Sequence, residues 1–222
     1  MSDGGFGDIC FDQRPELNFE KLKKADLPVR PLFLSVPDPP FHHSEIVNKG
    51  RCLCDRFEAV GIPIQPQGPL DSKYVFVGTY PGEQEVESET LFFSGSPVGN
   101  IFDEYLNCLG LVREEVYITN TNFCRAPGSV SPTPEHIWSC ASFHKEEFKE
   151  LTGMEYLFLL GDQAFNTMTG IYGQISSFFG KYFEADIYGR RVKIIPIYHP
   201  GFVVRGSLRE EVFNILSEIG GG

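Results

Sequence analysis

Apolar positions fall into two patterns along the chain. Short, near-continuous apolar runs at Tyr74–Val77, Val116–Thr119, Tyr156–Leu160 and Val192–Ile195 read as strands buried on both faces, since a strand with one wet face would alternate. Between them the spacing turns helical. Asn100–Leu109 sets Ile101, Tyr105 and Cys108 beside Phe102, Leu106 and Leu109, a stripe that one helix face can bury. A further helix opens with Thr133 as N-cap, Pro134 in the first position and Glu135 at the positive end, and runs to about Leu151 before Gly153 stops it. Asp162–Met168 and Leu208–Ile219 complete the set. Strands alternating with helices predict an α/β domain, a three-layer α/β/α sandwich around a parallel sheet. Ligands of such sheets bind outside the carboxyl ends of the strands, so residues 78–85, 120–125 and 198–205 should share one mouth.

The pattern is weaker before residue 46. Val36-Pro-Asp-Pro-Pro-Phe41 blocks regular pairing, so residues 1–45 read as an N-terminal extension and 46–222 as the domain. Composition adds little to this, but excludes some classes. No stretch approaches the roughly 18 apolar residues of a membrane helix. The opening Met-Ser-Asp-Gly-Gly-Phe-Gly-Asp has neither the basic nor the apolar region of a signal peptide. The expectation is an intracellular protein, cytoplasmic or nuclear. In that reducing setting six cysteines are metal ligands or buried thiols before they are disulfides. Net charge is −11, which argues against a uniformly basic nucleic-acid surface. The distribution is uneven, however. Residues 187–209 hold Arg190, Arg191, Lys193, Arg205 and Arg209 with no acid, while Glu83, Glu85, Glu87 and Glu89 crowd one stretch that a protein partner could face.

The unusual chemistry sits at the strand ends. Gly78-Thr-Tyr-Pro-Gly-Glu-Gln-Glu85 is followed by Phe92-Phe-Ser-Gly95; Val116-Tyr-Ile-Thr-Asn120 leads into Phe123-Cys-Arg-Ala-Pro127; Tyr198-His-Pro-Gly-Phe-Val-Val-Arg205 comes last. In this order and spacing the segments resemble the uracil-DNA glycosylase superfamily, specifically its iron–sulfur, family 4-like branch, over roughly residues 50–215. Gly78–Gly82, Phe93–Gly95, Val116–Arg125 and His199–Arg205 correspond to that family's motifs.

The resemblance implies a four-stranded parallel sheet between helices, acting as a monomer on DNA with a flipped pyrimidine. It implies hydrolysis of the N-glycosidic bond of uracil, or of a 5-substituted uracil. His199 would donate to the departing base, and Asn120 would read the base edge. Phe93, preferred to its neighbour Phe92, would stack on the base, with Gly78, Thr79 and Tyr80 lining the pocket. Arg205 and Arg125 would meet DNA. The chain departs from the pattern at Thr79, where the family usually has Glu; Glu83 or Glu85 could assist water instead. The change also admits a glycosylase-fold binding protein without hydrolysis, or a pyrimidine-modifying enzyme with the same pocket. Cys124 and Cys140 match the second ligand pair of the family's 4Fe–4S cluster, and Cys52 and Cys54 stand near the first, one residue closer than usual, with Cys10 as a substitute. A structural zinc site is the chemical alternative, since zinc also takes four thiolates. Cys108 reads as core.

Overall fold

The computed structural model describes residues 16–39, 63–92, 94–125, 131–206 and 208–221. Its elements run β1 (Lys23–Lys24), α1 (Leu32–Ser35), β2 (Tyr74–Gly78), α2 (Glu83–Ser88), α3 (Pro97–Cys108), β3 (Val116–Asn120), α4 (Pro134–Glu150), β4 (Tyr156–Leu160), α5 (Asp162–Thr169), β5 (Lys181–Ile187), β6 (Arg190–Ile197), α6 (Pro200–Val203) and α7 (Arg209–Gly220). The four apolar runs are β2, β3, β4 and β6, and the four long periodic stretches are α3, α4, α5 and α7. The sheet order is β1-β5-β6-β4-β2-β3. Neighbours among β6, β4, β2 and β3 pair in parallel.

The sheet therefore has six strands, not the expected four. The additions lie on one edge, where β5 pairs antiparallel to β6 and the short β1 runs parallel to β5. β5 carries Lys181, Glu184 and Asp186 among its apolar residues, so it lacks the near-continuous run that marked the central strands. Its hairpin turns at Tyr188 and Gly189, with φ of 52° and 78°, the left-handed pair that a two-residue hairpin demands.

Successive residues of each central strand feed opposite faces, as pleating requires. On one side Phe76, Phe158, Ile195 and Ile197 pack with Phe102, Tyr105 and Leu106 of α3 and Val212, Leu216 and Ile219 of α7. On the other side Val75, Val77, Leu157, Leu159 and Ile194 meet Phe148 of α4, Phe165 and Met168 of α5, and Phe33 of α1. Both faces of the sheet are covered, which makes three layers. Phe76 stacks on Phe158 at 4.5 Å and meets Phe102 edge-on at 5.3 Å, pairs that add about 0.5–1.5 kcal/mol each beyond burial. The described part of the N-terminal extension packs here too, burying Leu17, Leu22, Phe33 and Val36. Apolar side chains between its prolines reach the domain core although the backbone there forms little regular structure. No helix among the described residues is long and apolar enough to cross a membrane.

Candidate active site

β2 and β3 stay zipped together past the end of their ladder. Thr121 N donates to the Gly78 carbonyl (3.0 Å), and Asn122 N and Thr121 Oγ1 donate to the Thr79 carbonyl (2.9 and 2.8 Å). Gln163, on α5, ties this turn to β4's exit by donating to Thr121 Oγ1 and Asn122 Oδ1. Asn120 stands opposite Gly78 in register and is only 3% exposed. Its Nδ2 is buried with no hydrogen-bond partner, and such an orphan donor costs roughly 1–3 kcal/mol. Gly78 makes room for it: a Cβ there would lie 2.2 Å from Asn120 Oδ1 and 2.9 Å from the Phe92 ring.

Phe92 is held in a conformation it would not choose. Its φ is 47°, in the left-handed region that costs an ordinary L-residue roughly 1–2 kcal/mol. Glu85 takes the Phe92 N–H at 2.5 Å and the Gly82 N–H at 2.6 Å on its two carboxylate oxygens. Arg113 takes the Phe92 and Leu91 carbonyls, while its Nε holds Asp103 at 2.7 Å. The Phe92 ring, so clamped, stacks on Phe102 at 4.5 Å and comes 5.7 Å from the His199 ring. Burial pushes the Glu85 carboxyl above the usual range, against the pull of its two N–H donors and Arg113.

His199 follows β6 and caps α6, its Nδ1 accepting from Gly201 N at 3.1 Å. A backbone N–H can only donate, so Nδ1 carries the lone pair and the neutral ring keeps its proton on Nε2. Desolvation first, and the Arg205 charge second, lower its pKa to about 4. The ring is neutral near pH 7 with one N–H to give. Tyr105 Oη fixes the strand end by donating to the Tyr198 carbonyl at 3.0 Å. A cleft of about 470 Å³ opens here, walled by Thr79, Asp162, Tyr198, His199 and Phe202 among others. That volume is normal for a small-molecule site. Asn120 and Phe92 lie behind this wall, not on it. A larger hollow of about 610 Å³, lined by Arg30, Trp138, Gln163 and Tyr172, lies on the other side of Asp162.

Gly78, Thr79, Asn120 and His199 thus come together at adjoining strand ends. Tyr80 is half-buried on the same turn. Glu85 is committed to backbone donors, whereas Glu83 is 69% exposed and faces Arg125 at 3.5 Å. Arg205 is exposed, with Nε donating to the Gly201 carbonyl at 2.9 Å. The remaining positive residues of 187–209 do not form one surface with it. Arg190, Arg191 and Lys193 lie at the start of β6, away from His199, where Arg191 pairs with Glu184 and Lys193 covers the Phe19 ring. Arg209 pairs with Glu104. The fold, invisible in a charge tally, disperses them. Phe93, Cys10, Cys52 and Cys54 lie outside the described residues. Cys124 and Cys140 share a small buried cluster with Phe123 and Phe143, and Asn122 Nδ2 donates to Cys140 Sγ at 3.4 Å. Cys108 packs, half-buried, against the core. Among the described residues no group of three or more His, Cys, Asp or Glu is set to hold a metal. Sequence reasoning passed over Arg113. Only the fold brings Arg113 back to the Phe92 carbonyl across the sheet end.

Residues 65–217 match the family model described as the uracil DNA glycosylase superfamily. The chain belongs to that superfamily. Curated uracil-DNA glycosylases of types 4 and 5 are similar to it. It is 32% identical over 178 residues to a type-4 uracil-DNA glycosylase of Archaeoglobus fulgidus, covering 75% of this chain and 85% of that protein. A type-4 uracil-DNA glycosylase of Thermotoga maritima is 32% identical over 154 residues, 69% of this chain and 77% of the relative. A type-5 uracil-DNA glycosylase of Pyrobaculum aerophilum is 27% identical over 153 residues, 63% and 66% of the two chains. The matched residues 65–217 include the Gly78, Asn120 and His199 turns that the geometry brings together.

Proposed function

We propose that this superfamily member hydrolyses the N-glycosidic bond of uracil in DNA. The observation that carries the reading is a pair of waiting donors: the orphan Nδ2 of Asn120 and the Nε2–H of a neutral His199. Uracil offers two carbonyl oxygens with an N–H between them. An amide whose Nδ2 donates to one carbonyl and whose Oδ1 accepts from that N–H distinguishes uracil from cytosine, which reverses both positions. The base must leave the helix to reach them. As the C1′–N1 bond breaks, its electron pair moves into the ring and onto the second carbonyl, where His199 Nε2–H meets it. A preorganised donor at such an oxygen contributes roughly 2.7–4 kcal/mol. Neutrality of the imidazole suits this task, since a cation would be a costlier group to keep desolvated.

Phe93 stacks on the base, next in the chain to the clamped Phe92. Glu85 acts by holding Phe92 and the 78–82 turn, not as a base, because both of its oxygens are occupied. Arg205 and Arg125 face the DNA phosphates. The buried Cys124 and Cys140, with an amide N–H on one sulfur, suit thiolate ligation. They would hold a 4Fe–4S cluster together with Cys52 and Cys54, or with Cys10 in place of one of these. Such a cluster would pin the N-terminal segment and the loop after Asn120 together. A brown colour and iron in the purified protein separate it from zinc. The protein acts as a monomer.

The test is incubation with a uracil-containing single strand, then alkaline cleavage at abasic sites. Cleavage that disappears in His199→Ala supports the reading. Folded protein that binds the strand and yields no abasic site refutes it.

A further inference from the structure

A water molecule must attack C1′ as positive charge gathers on the sugar, and a nearby carboxylate would assist both. Thr79 cannot: its hydroxyl carries no charge. Glu85 has both oxygens on backbone N–H groups, and Glu83 points to solvent beside Arg125.

The sheet order supplies another acid. β4 lies between β2 and β6, so its exit falls between Thr79 and His199. Gly161 leaves β4 with φ 90°, and its N–H donates to the Ile197 carbonyl at 2.8 Å. A Cβ at Gly161 would come 3.2 Å from His199 Cβ, so the two turns are in contact. The next residue is Asp162, the one acid among the described residues that wall the cleft with Thr79 and His199. Its Oδ1 accepts from Ile175 N at 2.6 Å, which fixes the side chain. Its Oδ2 makes no hydrogen bond to a described residue. Asp162 also borders the larger hollow, so water can reach it.

We propose that Asp162 is the carboxylate of the hydrolytic step, in place of the acid that Thr79 lacks. This rests on the glycosylase reading. The C1′–N1 bond breaks with its electrons retained by the uracil anion, and Asp162 stabilises the cationic sugar. Water forms the C1′–O bond while its proton passes to Asp162 Oδ2, and from there to the uracil anion or solvent. The products are uracil and an abasic sugar.

The test compares wild type with Asp162→Asn, which keeps the acceptor for Ile175 N and removes the charge. Single-turnover release from a uracil-containing single strand should fall ~10²–10³-fold, the scale of a lost acid–base group. Binding of a strand carrying a non-cleavable uracil analogue should be unchanged. Adding Thr79→Glu to Asp162→Asn should recover at least about tenfold, because a carboxylate returns to the same cleft. An Asp162→Asn rate within about threefold of wild type overturns the proposal, since that is far below the loss of a catalytic group. So does weakened analogue binding, or a slow variant that Thr79→Glu does not improve, either of which assigns Asp162 to holding the Ile175 loop. A wild-type chain that binds uracil DNA and releases nothing instead overturns the glycosylase reading, and this proposal with it.

Discussion

Gly78→Ala tests whether the recognition geometry depends on a missing methyl group. The added Cβ would lie 2.2 Å from Asn120 Oδ1 and 2.9 Å from Phe92 Cζ. Ordinary contact begins near 3.4 Å, so the amide must retreat about 1.2 Å and the ring about 0.5 Å by that difference. Neither has an easy way back. Asn120 is the last rung of the β2–β3 ladder, and Phe92 already stacks on Phe102 at 4.5 Å. Overpacking of this kind costs about 1–3 kcal/mol, and a chain of this size loses about 2–4 °C of melting temperature per kcal/mol. A 1 Å misplacement near the reacting groups costs roughly 10²-fold in rate. The matched control is Gly110→Ala. Gly110 also has a positive φ, 69°, but nothing lies within 4 Å of its would-be Cβ. Both variants should melt earlier, and only Gly78→Ala should release uracil ~10²-fold more slowly in a single-turnover assay. A Gly78→Ala rate within about threefold of wild type would refute the link between this contact and base recognition.

Other outcomes follow from the same geometry. The lowered pKa of His199 means that the unfolded chain binds the extra proton first. Stability from this group is present above pH 6.5 and is lost as pH falls towards about 4. Urea titrations across that window should show a shallower acid loss for His199→Gln, and equal slopes would contradict the burial of the ring. Asn120→Leu removes an orphan amide worth roughly 1–3 kcal/mol of strain on the fold, so its melting temperature should hold or rise while uracil release is abolished; a lower melting temperature would mean that the amide is paired. Arg205→Gln should weaken single-strand binding and reduce the slope of log affinity against log salt by about 0.7, one phosphate contact. An unchanged slope would place Arg205 away from DNA.

The parts of the fold that could be read from sequence are those where one residue pattern has one physical meaning. The central stretches of β2, β3, β4 and β6 are covered on both faces, so apolar residues dominate and the runs stand out. α4 announced its start because Thr133 and Pro134 suit the N-terminal turn of a helix and little else. β5 was hidden because Lys181, Glu184 and Asp186 interrupt its apolar residues and only Phe183 and Ile187 are buried. At the site, Gly78, Asn120 and His199 were legible because they lie in contiguous motifs at strand ends. Arg113 was not, since its task depends on the carbonyls of Leu91 and Phe92, more than twenty residues back in the chain. Charge was the least readable property. Five cations in one acid-free stretch suggested a surface, and the fold sends them to different places.

The acids around the site show how burial assigns roles that residue type leaves open. Glu83, Glu85 and Asp162 are all carboxylates near one mouth, and each could in principle serve the hydrolytic step. Glu83 is exposed, as Asp162 is, but it faces Arg125 and does not line the cleft. Glu85 is desolvated but spends both oxygens on the N–H groups of Gly82 and Phe92, and without them Phe92 would relax from its left-handed φ. Taking a proton from water would work against that clamp, because a neutral carboxyl is a weaker acceptor for the Phe92 and Gly82 N–H groups. Asp162 combines one anchored oxygen with one that is uncommitted, beside Thr79 and His199. One oxygen held by a backbone N–H and one uncommitted, in the cleft with Thr79 and His199, is what a water-directing carboxylate requires, and of the three only Asp162 lines that cleft.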